Sequence, residues 1–464
     1  MIRYAIARPL AGLVALSLCL FLAGGLDARE DLKPQIDAVA EPLLEHRMTV
    51  GVAVGLLEGD SVREFGYGRI SRQTDRKPDS RTVFEIGSVT KVFVTLALSD
   101  MVEEGRVKLS DPVAVYLPDS VRAPQFEGRQ ITLGHLAEHT SGLPRIPNNF
   151  TPSNPLNPYA DYTAEKMYDF LSAFTLPRAP GSCYEYSNLG AGLLGHVLAR
   201  HTGLDLGALL QERICRPLNL VDTSIRVSPD GQLRLTPGHD LDANPVPYWD
   251  FDVLAGAGAL HSTVADLVLF VKANMGLLPT PLFAAMEKCR APRMVTTLGD
   301  WHIGLGWHVS ADGNTAWHNG GTYGFYSFIG FNRERKVGLV WLSNSSLWQI
   351  PDVNARLLDI LAGRSAEPMK FKTPVPLPAE TLDRYVGEYR PAPDATLRVR
   401  RDGTRLILQN PEGAETALFP ESQTRFFLRE TSETTVEFVL DEGGNTVRMD
   451  LHGKEGDKSA ARVR

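Results

Sequence analysis

Hydrophobic side chains recur at helical spacing near the start of this chain and then give way to short strand-like runs. Aliphatic residues three or four positions apart predict a helix over residues 31–46. Residues 49–57 and 61–69 predict two strands, with Gly59-Asp60 as the hairpin turn between them. Further apolar stretches predict helices over residues 88–104, over 190–201, and from a cap at Ser262 or Thr263 to about Met275.

Strands return late in this region, after a long helical and loop-rich block. Residues 304–309, 324–332 and 337–343 predict strands, with a turn at 333–336 and a closing helix over 350–362. One sheet would therefore take strands from both ends of residues 30–363, with the helical block inserted between them. That arrangement predicts an α+β fold.

The pattern changes again beyond residue 364. Residues 365–380 contain four prolines and predict a linker. Residues 381–464 show short alternating segments, such as Leu397/Val399 and Val436/Phe438, separated by glycine-containing turns. This pattern predicts a small all-β domain, barrel-like in form, after a first domain that covers residues 29–364.

The N-terminus predicts export. Arg3 and Arg8 precede an apolar run from Leu10 to Leu22, and small residues follow as far as Ala28. This pattern is typical of a secretory signal peptide, here residues 1–28. An uncleaved anchor is the alternative, although the run is shorter than the roughly 20 residues that span a bilayer. We therefore expect a periplasmic or secreted protein, with the cell wall or membrane nearby.

Composition narrows the function classes further. The net charge of −7 and the absence of basic runs argue against nucleic-acid binding. Cys183, Cys215 and Cys289 would remain after signal removal, so one disulfide is possible and at least one thiol stays unpaired. The cysteines and histidines do not cluster as metal ligands do, and we expect neither a metal nor an organic cofactor.

Three motifs far apart in the chain carry side chains suited to acyl transfer. Ser88 and Lys91 stand three positions apart at the head of an apolar helix, which places them on one face. A serine hydroxyl is a poor nucleophile at neutral pH unless a base lies beside it. Tyr186 and His318 would bring a phenol and an imidazole to the same pocket, so the set predicts a serine acyl-transfer enzyme.

Each motif also has an ordinary structural interpretation. Ser88 can be a helix cap, Tyr186 a core aromatic and Asn188 another cap. Lys91 lies in an apolar stretch, where it is either extended toward solvent or desolvated with a lowered pKa. Only the order of the motifs and their occurrence together in one chain favour the catalytic interpretation.

The third motif, His318-Asn319-Gly320, is followed directly by Gly321. Glycines at such a place let a substrate backbone approach the edge of a strand closely. Two other His-x-Gly sequences have simpler explanations, because the one at 201–203 ends a helix and the one at 302–304 opens a strand.

Around these motifs the chain resembles class C β-lactamases and their relatives among penicillin-binding proteins, esterases and D-aminopeptidases. The likeness covers about residues 32–363, and the C-terminal unit is similar to the lipocalin-like domain that follows such domains. It implies a β-lactamase/transpeptidase-like fold, with an antiparallel sheet and a helical block. It rests on the residues around the motifs as well, namely 84–91, 108–112, 136–144 and 216–218.

The resemblance also implies a role for each motif residue. Ser88 would be the nucleophile, with Lys91 and Tyr186 sharing proton transfer; which of the two is the base stays open. Asn188 would hold Lys91 and a substrate amide. The backbone N–H groups of Ser88 and Gly321 would form the oxyanion hole.

One departure from the resemblance concerns substrate. Typical class C β-lactamases have Lys-Thr-Gly where this chain has His318-Asn319-Gly320, and that lysine helps to bind a carboxylate. An imidazole with a pKa near 6.5 is mostly neutral at pH 7, so carboxylate binding should weaken unless its pKa is raised.

The implied substrate is a small molecule or a peptidoglycan-type peptide, cleaved at a β-lactam or D-amino-acid amide bond. Three alternatives remain from the sequence. They are a carboxylesterase of the same fold, a penicillin-binding sensor that acylates without turnover, and a non-catalytic interaction protein.

Overall fold

The computed structural model describes residues 31–463 except 241, 348–350, 370, 394, 412, 429–433 and 454–455. The predicted signal peptide, residues 1–28, lies outside the described residues. Two bodies of secondary structure follow one another along the described chain: an antiparallel sheet with helices, and a barrel of strands. The α+β fold predicted from the hydrophobic pattern is confirmed.

An eight-stranded antiparallel sheet forms the centre of the first body. Its strands come from both ends of this body, as predicted, because the first hairpin pairs with the last strand. In spatial order the strands are Ser61–Gly68, Gly51–Glu58, Val337–Ser343, Tyr326–Asn332, Thr315–Gly321, His308–Val309, His302–Ile303 and Met294–Val295.

Both faces of this sheet are covered by helices, which explains why its central strands are apolar at nearly every position. Along Gly51–Glu58, Val52 and Val54 pack toward one hydrophobic cluster, whereas Ala53 and Leu57 pack toward the other. The first cluster contains residues from the helices Lys33–Glu45 and Pro351–Ala362. Successive side chains in a strand point to opposite faces, so one strand serves both cores.

Each helix that the apolar periodicity predicts is present, within two residues of its predicted bounds. Thr263 caps the helix Val264–Asn274 by accepting a hydrogen bond from the Asp266 N–H. Of the described helices, the remaining α-helices are Thr90–Glu103, Leu133–Ala137, Ala164–Ala173, Asn188–Thr202, Leu206–Leu210, Pro229–Gln232, Phe283–Arg290 and Ala379–Asp383.

The predicted strand over residues 304–309 is wrong. The chain forms two short strands there, His302–Ile303 and His308–Val309, with a turn between them. Gly306 has a φ of +74°, and a Cβ at this glycine would lie 2.6 Å from the Thr95 hydroxyl. An apolar run therefore becomes a tight turn because it must pass close to the helix Thr90–Glu103.

The C-terminal body is a closed barrel of eight strands in sequential order, and its first strand pairs with its last. Its interior holds a filled apolar cluster around Tyr385, Tyr389 and Phe438. The all-β barrel predicted from alternation is confirmed. Its strands are Gly387–Ala392, Ala395–Asp402, Arg405–Gln409, Glu415–Pro420, Arg425–Leu428, Thr435–Leu440, Thr446–His452 and Lys458–Arg462.

The segment between the two bodies is anchored to each of them. Residues 364–369 and 371–378 contain neither helix nor strand. The Met369 N–H donates to the Ala38 carbonyl, and the Val375 N–H donates to the Pro420 carbonyl. These bonds join the proline-rich segment to the first helix and to the barrel.

Two further observations concern the described part of the chain. Cys183, Cys215 and Cys289 are all free thiols, and only Cys183 is exposed, so the possible disulfide is not formed among them. No helix in the same residues has the length and apolar character needed to cross a membrane.

Candidate active site

Ser88 lies in a tight turn at the entrance to the central helix. The segment Gly87–Val89 is one turn of 3₁₀ helix, and the α-helix Thr90–Glu103 continues from it. Gly87 has a φ of +47°, a left-handed conformation that side-chain-bearing residues rarely adopt. This glycine lets the chain leave the short strand Phe84–Glu85 and enter the helix, with Ser88 just before the first helical turn.

Lys91 is held at the serine by three polar contacts. Its Nζ lies 2.9 Å from Ser88 Oγ, 3.0 Å from Asn188 Oδ1 and 2.7 Å from the Ala257 carbonyl oxygen. The side chain is only 1% exposed because the helix is buried from Thr90 to Ser99. Burial, and then the positive charge of Arg145, hold the pKa of the Lys91 amine well below its usual range.

These contacts fit a neutral amine that accepts a proton from Ser88. A neutral amine has two N–H groups and one lone pair. Asn188 Oδ1 and the Ala257 carbonyl can only accept hydrogen bonds, so they take both N–H groups. As a neutral amine, Lys91 keeps its lone pair for the Ser88 hydroxyl, which can then donate its proton across 2.9 Å; as an ammonium, Lys91 donates to Ser88 Oγ instead. The arrangement suits a general base.

Tyr186 brings a phenol to the same serine. Its ring lies 4.9 Å from Lys91 Nζ and 4.5 Å from the centre of the His139 ring. Burial raises the pKa of Tyr186 to about 12, although a hydrogen bond with Ser88 and the charge of Arg145 each lower it. The phenol is therefore protonated at neutral pH and can donate a proton.

Asn188 is not the helix cap that its position allows. The cap is Ser187, whose Oγ accepts from the Gly190 N–H at 2.8 Å and donates to the Pro144 carbonyl. Asn188 is the first residue of the helix Asn188–Thr202, and its side chain is free to bind Lys91. Its amide nitrogen donates to the Tyr159 hydroxyl at 3.1 Å, which fixes its orientation.

His318 offers the site a neutral imidazole. It lies in the strand Thr315–Gly321 and is 1% exposed. Burial comes first among the causes that hold its pKa well below the usual range, followed by His308 and Lys91. Nδ1 lies 2.6 Å from the Asn319 carbonyl and donates to it, so Nε2 is an acceptor, buried without a partner among the described residues. The increase in pKa that carboxylate binding would require is absent.

Gly320 and Gly321 bring the edge of the sheet against the serine turn. A Cβ at Gly320 would lie 2.1 Å from the Ile86 carbonyl and 2.8 Å from the Ser88 nitrogen. A Cβ at Gly87 would lie 2.8 Å from the Gly321 nitrogen. Contact between two backbones, rather than access for substrate, therefore accounts for the glycine at 320. The same contact brings the turn containing Ser88 and the Gly321 backbone together.

Sequence reasoning missed several residues that complete the site. Glu85 is buried, and it accepts hydrogen bonds of 2.6 Å from both the Thr322 hydroxyl and the Trp249 N–H. Tyr159 and Arg145 come from the long proline-containing loop at 143–159, which contains neither helix nor strand. That loop was the available signal, but its polar residues could not be ranked without knowing which of them face Ser88.

All seven predicted site residues lie in one region. The serine turn, the start of a helix at Asn188 and one strand edge converge there, although they are separated by up to about half the chain. In the described residues no group of three or more His, Cys, Asp or Glu side chains could hold a metal. Chemically, the arrangement offers a hydroxyl, an amine with a lowered pKa, a protonated phenol and backbone N–H groups.

Two family models match the chain. The family model described as Beta-lactamase matches residues 36–363. The chain belongs to the β-lactamase family. A second model, a domain of unknown function named DUF3471, matches residues 372–461 and thus covers the barrel.

Several curated β-lactamase-family proteins are similar in sequence. The D-alanyl-D-alanine-carboxypeptidase/endopeptidase AmpH of Escherichia coli strain K12 is 31% identical over 51% of this chain, and the match spans only 60% of that relative's length. A β-lactamase of Pseudomonas fluorescens is 29% identical over 60% of this chain and 75% of its own. Penicillin-binding protein 4* of Bacillus subtilis strain 168 is 25% identical over 89% of this chain and 95% of its own.

Solved structures show the same fold for the family domain. A β-lactamase/D-alanine carboxypeptidase from Yersinia pestis has a TM-score of 0.62 at 23% identity, over 71% of this chain and 97% of that one. The D-alanine carboxypeptidase AmpC from Burkholderia cenocepacia has a TM-score of 0.59 at 25% identity, over 72% and 99%. The predicted β-lactamase/transpeptidase-like fold is confirmed.

Proposed function

We propose that this protein is an active-site serine hydrolase that cleaves a β-lactam or D-amino-acid amide bond through an acyl-enzyme on Ser88. One observation carries the proposal: Lys91 Nζ lies 2.9 Å from Ser88 Oγ while two pure acceptors take its N–H groups. A structural lysine would instead point its amine toward solvent or a carboxylate.

Acylation follows from these groups. Lys91 accepts the Ser88 proton as Oγ attacks the carbonyl carbon, and the carbonyl oxygen becomes an oxyanion. The backbone N–H groups of Ser88 and Gly321 stabilise that charge. Tyr186 donates its proton to the leaving nitrogen as the C–N bond breaks, and the proton on Lys91 returns the phenol to its neutral form. Lys91 is thus the base and Tyr186 the acid.

Deacylation uses the same groups in reverse. Water takes the place of the leaving group, and its proton passes to the pair formed by Tyr186 and Lys91 as oxygen attacks the acyl carbon. The bond to Ser88 Oγ breaks, and the serine recovers its proton. Asn188 orients both the amine and the amide of the acyl group.

We propose further that the chain is exported, with residues 1–28 as a signal peptide, and that residues 29–364 and 381–464 are separate domains. The substrate proposal draws support from relatives whose names include β-lactamase, D-alanyl-D-alanine carboxypeptidase and penicillin-binding protein.

Intact-protein mass spectrometry tests the proposal. The protein is mixed with a penicillin, a peptide ending in D-Ala-D-Ala and a p-nitrophenyl ester, and mass is followed over time. We expect a transient gain of the acyl mass on Ser88, and loss of turnover by about 10⁴-fold or more in Ser88→Ala.

Ser99→Ala is the matched control, because Ser99 lies in the same helix and its hydroxyl donates to the Ala285 carbonyl instead. It should keep its turnover. A label that persists for hours would instead indicate a sensor, and wild-type turnover in Ser88→Ala would disprove the mechanism.

A further inference from the structure

The basic groups closest to the serine do not supply a cation for substrate. The Lys91 amine is buried and its N–H groups already have acceptors. His318 is buried and donates from Nδ1 to a neighbouring carbonyl, so it presents only a lone pair at Nε2. A substrate carboxylate would find no positive partner in either group.

Arg145 is different, because its charge is exposed at the same place. Its Cζ lies 5.1 Å from the centre of the Tyr186 ring, and Lys91 Nζ lies 4.9 Å from the same ring. The side chain is exposed, and no hydrogen bond or ion pair to another described residue engages the guanidinium. By contrast, the Arg213 guanidinium is paired with the Asp100 carboxylate.

The backbone of Arg145 is fixed although its side chain is free. Its carbonyl accepts hydrogen bonds from the Asn188 N–H at 3.0 Å and from the Leu189 N–H at 3.2 Å. The loop is thus attached to the first turn of the helix that positions Asn188. A guanidinium on such an anchored backbone is held near the site with five donors available.

The charge of Arg145 also affects the site over a distance. It lowers the pKa values of Lys91, His139 and Tyr186, in each case as a smaller cause than burial. Its charge therefore reaches the crevice, the polar site formed by Ser88, Lys91, Tyr186 and His318. Positive potential at the mouth of a crevice attracts anionic ligands.

From this geometry we infer that Arg145 is the anion-binding residue of the site and selects substrates that carry a carboxylate close to the scissile bond. The inference rests on the proposed function. The carboxylate has two possible sources: the free C-terminus of a leaving D-amino acid, or an acidic group on the acyl side. A planar guanidinium can bind either one through two parallel hydrogen bonds.

Matched substrates test the inference in the full-length protein. The first pair is an acyl-D-Ala-D-Ala peptide and its C-terminal amide. The second pair is a D-alanyl p-nitrophenyl ester with an N-succinyl or an N-acetyl group. We expect Arg145→Gln to lower kcat/KM for the acid of one pair by about tenfold, mainly through KM. The neutral partner should change by less than about twofold.

Two variants complete the test. Arg145→Lys keeps the positive charge and should recover part of the preference for the acidic substrate. Arg122→Gln should behave as wild type, because the Arg122 guanidinium donates to the Ser172 carbonyl instead. The pair that responds identifies the source of the carboxylate. Equal effects on acid and neutral substrates, or no effect on either pair, would overturn the inference. If the wild type acylates on none of them, the proposed function fails and the inference falls with it.

Discussion

The barrel interior and the crevice at Ser88 are both buried, yet they bury opposite kinds of group. Inside the barrel, aromatic and aliphatic side chains fill the space, and the hydroxyls of Tyr385 and Tyr389 donate to backbone carbonyls at 2.7 Å. In the crevice, Lys91, His318 and Glu85 are buried with strongly shifted pKa values. A satisfied apolar core stabilises a fold, whereas desolvated titratable groups are kept reactive.

Among the variants that test this contrast between barrel and crevice, we expect the largest loss of activity from a substitution of Lys91. Lys91→Met keeps the length and removes the base, so kcat/KM should fall by about 10²- to 10⁴-fold. Steady-state kinetics on any substrate that the wild type acylates will measure it. In the wild type, activity should rise with pH as the amine loses its proton, because only the neutral amine can accept one.

Lys272→Met is the control for this variant, since Lys272 is partly exposed and lies 3.9 Å from Asp60. It should leave the rate unchanged. If Lys91→Met kept the wild-type rate, the crevice would be an ordinary buried polar cluster and the contrast with the barrel would vanish.

The next effect concerns the barrel. The Phe438 ring stacks on Tyr385 at 4.4 Å and meets Phe426 at 5.4 Å in the filled core. Phe438→Ala should lower the free energy of unfolding of the barrel by about 3–5 kcal/mol, through lost burial and a residual cavity. Urea denaturation followed by near-UV circular dichroism will report the loss.

We expect the hydrolysis rate of Phe438→Ala to stay at the wild-type value under conditions where the barrel is folded. Phe419→Ala, at a partly exposed position, should cost less stability. A lower rate in a fully folded Phe438→Ala protein would show that the barrel shapes the crevice, and would break the separation between the two regions.

The smallest effect concerns stability inside the crevice. Burial raises the pKa of Glu85 to about 7, against 4.5 for an ordinary glutamate, despite hydrogen bonds from Thr322 and Trp249. Between these values the folded state binds more protons than the unfolded state, so stability falls as pH rises. The fall should reach about 3 kcal/mol, and Glu85→Gln should flatten it.

Urea titrations at a series of pH values from 4.5 to 7 will measure this slope. Glu104→Gln is the control, because the hydrogen bond from Arg213 lowers the pKa of that exposed carboxyl and its influence lies at lower pH. An unchanged slope in Glu85→Gln would mean that this carboxyl is already ionised and paired in the folded protein.

The hydrophobic pattern alone predicted most of the fold. The strand Val337–Ser343 has the predicted bounds, and the first helix and hairpin lie within two residues of theirs. The predicted strand was wrong at residues 304–309, where an apolar run forms a turn because Gly306 passes beside Thr95. Strand propensity is local, and a close approach between distant segments overrode it there.

The sequence by itself also determined that Ser88 and Lys91 share a helix face, because helical spacing is a property of neighbouring residues. Only the tertiary structure decided what that lysine is. The Ala257 carbonyl and Asn188, 166 and 97 positions away, take its N–H groups, and packing on all sides removes water. The pKa of a group depends on all the residues that fold around it, so the spacing of a motif cannot predict that pKa.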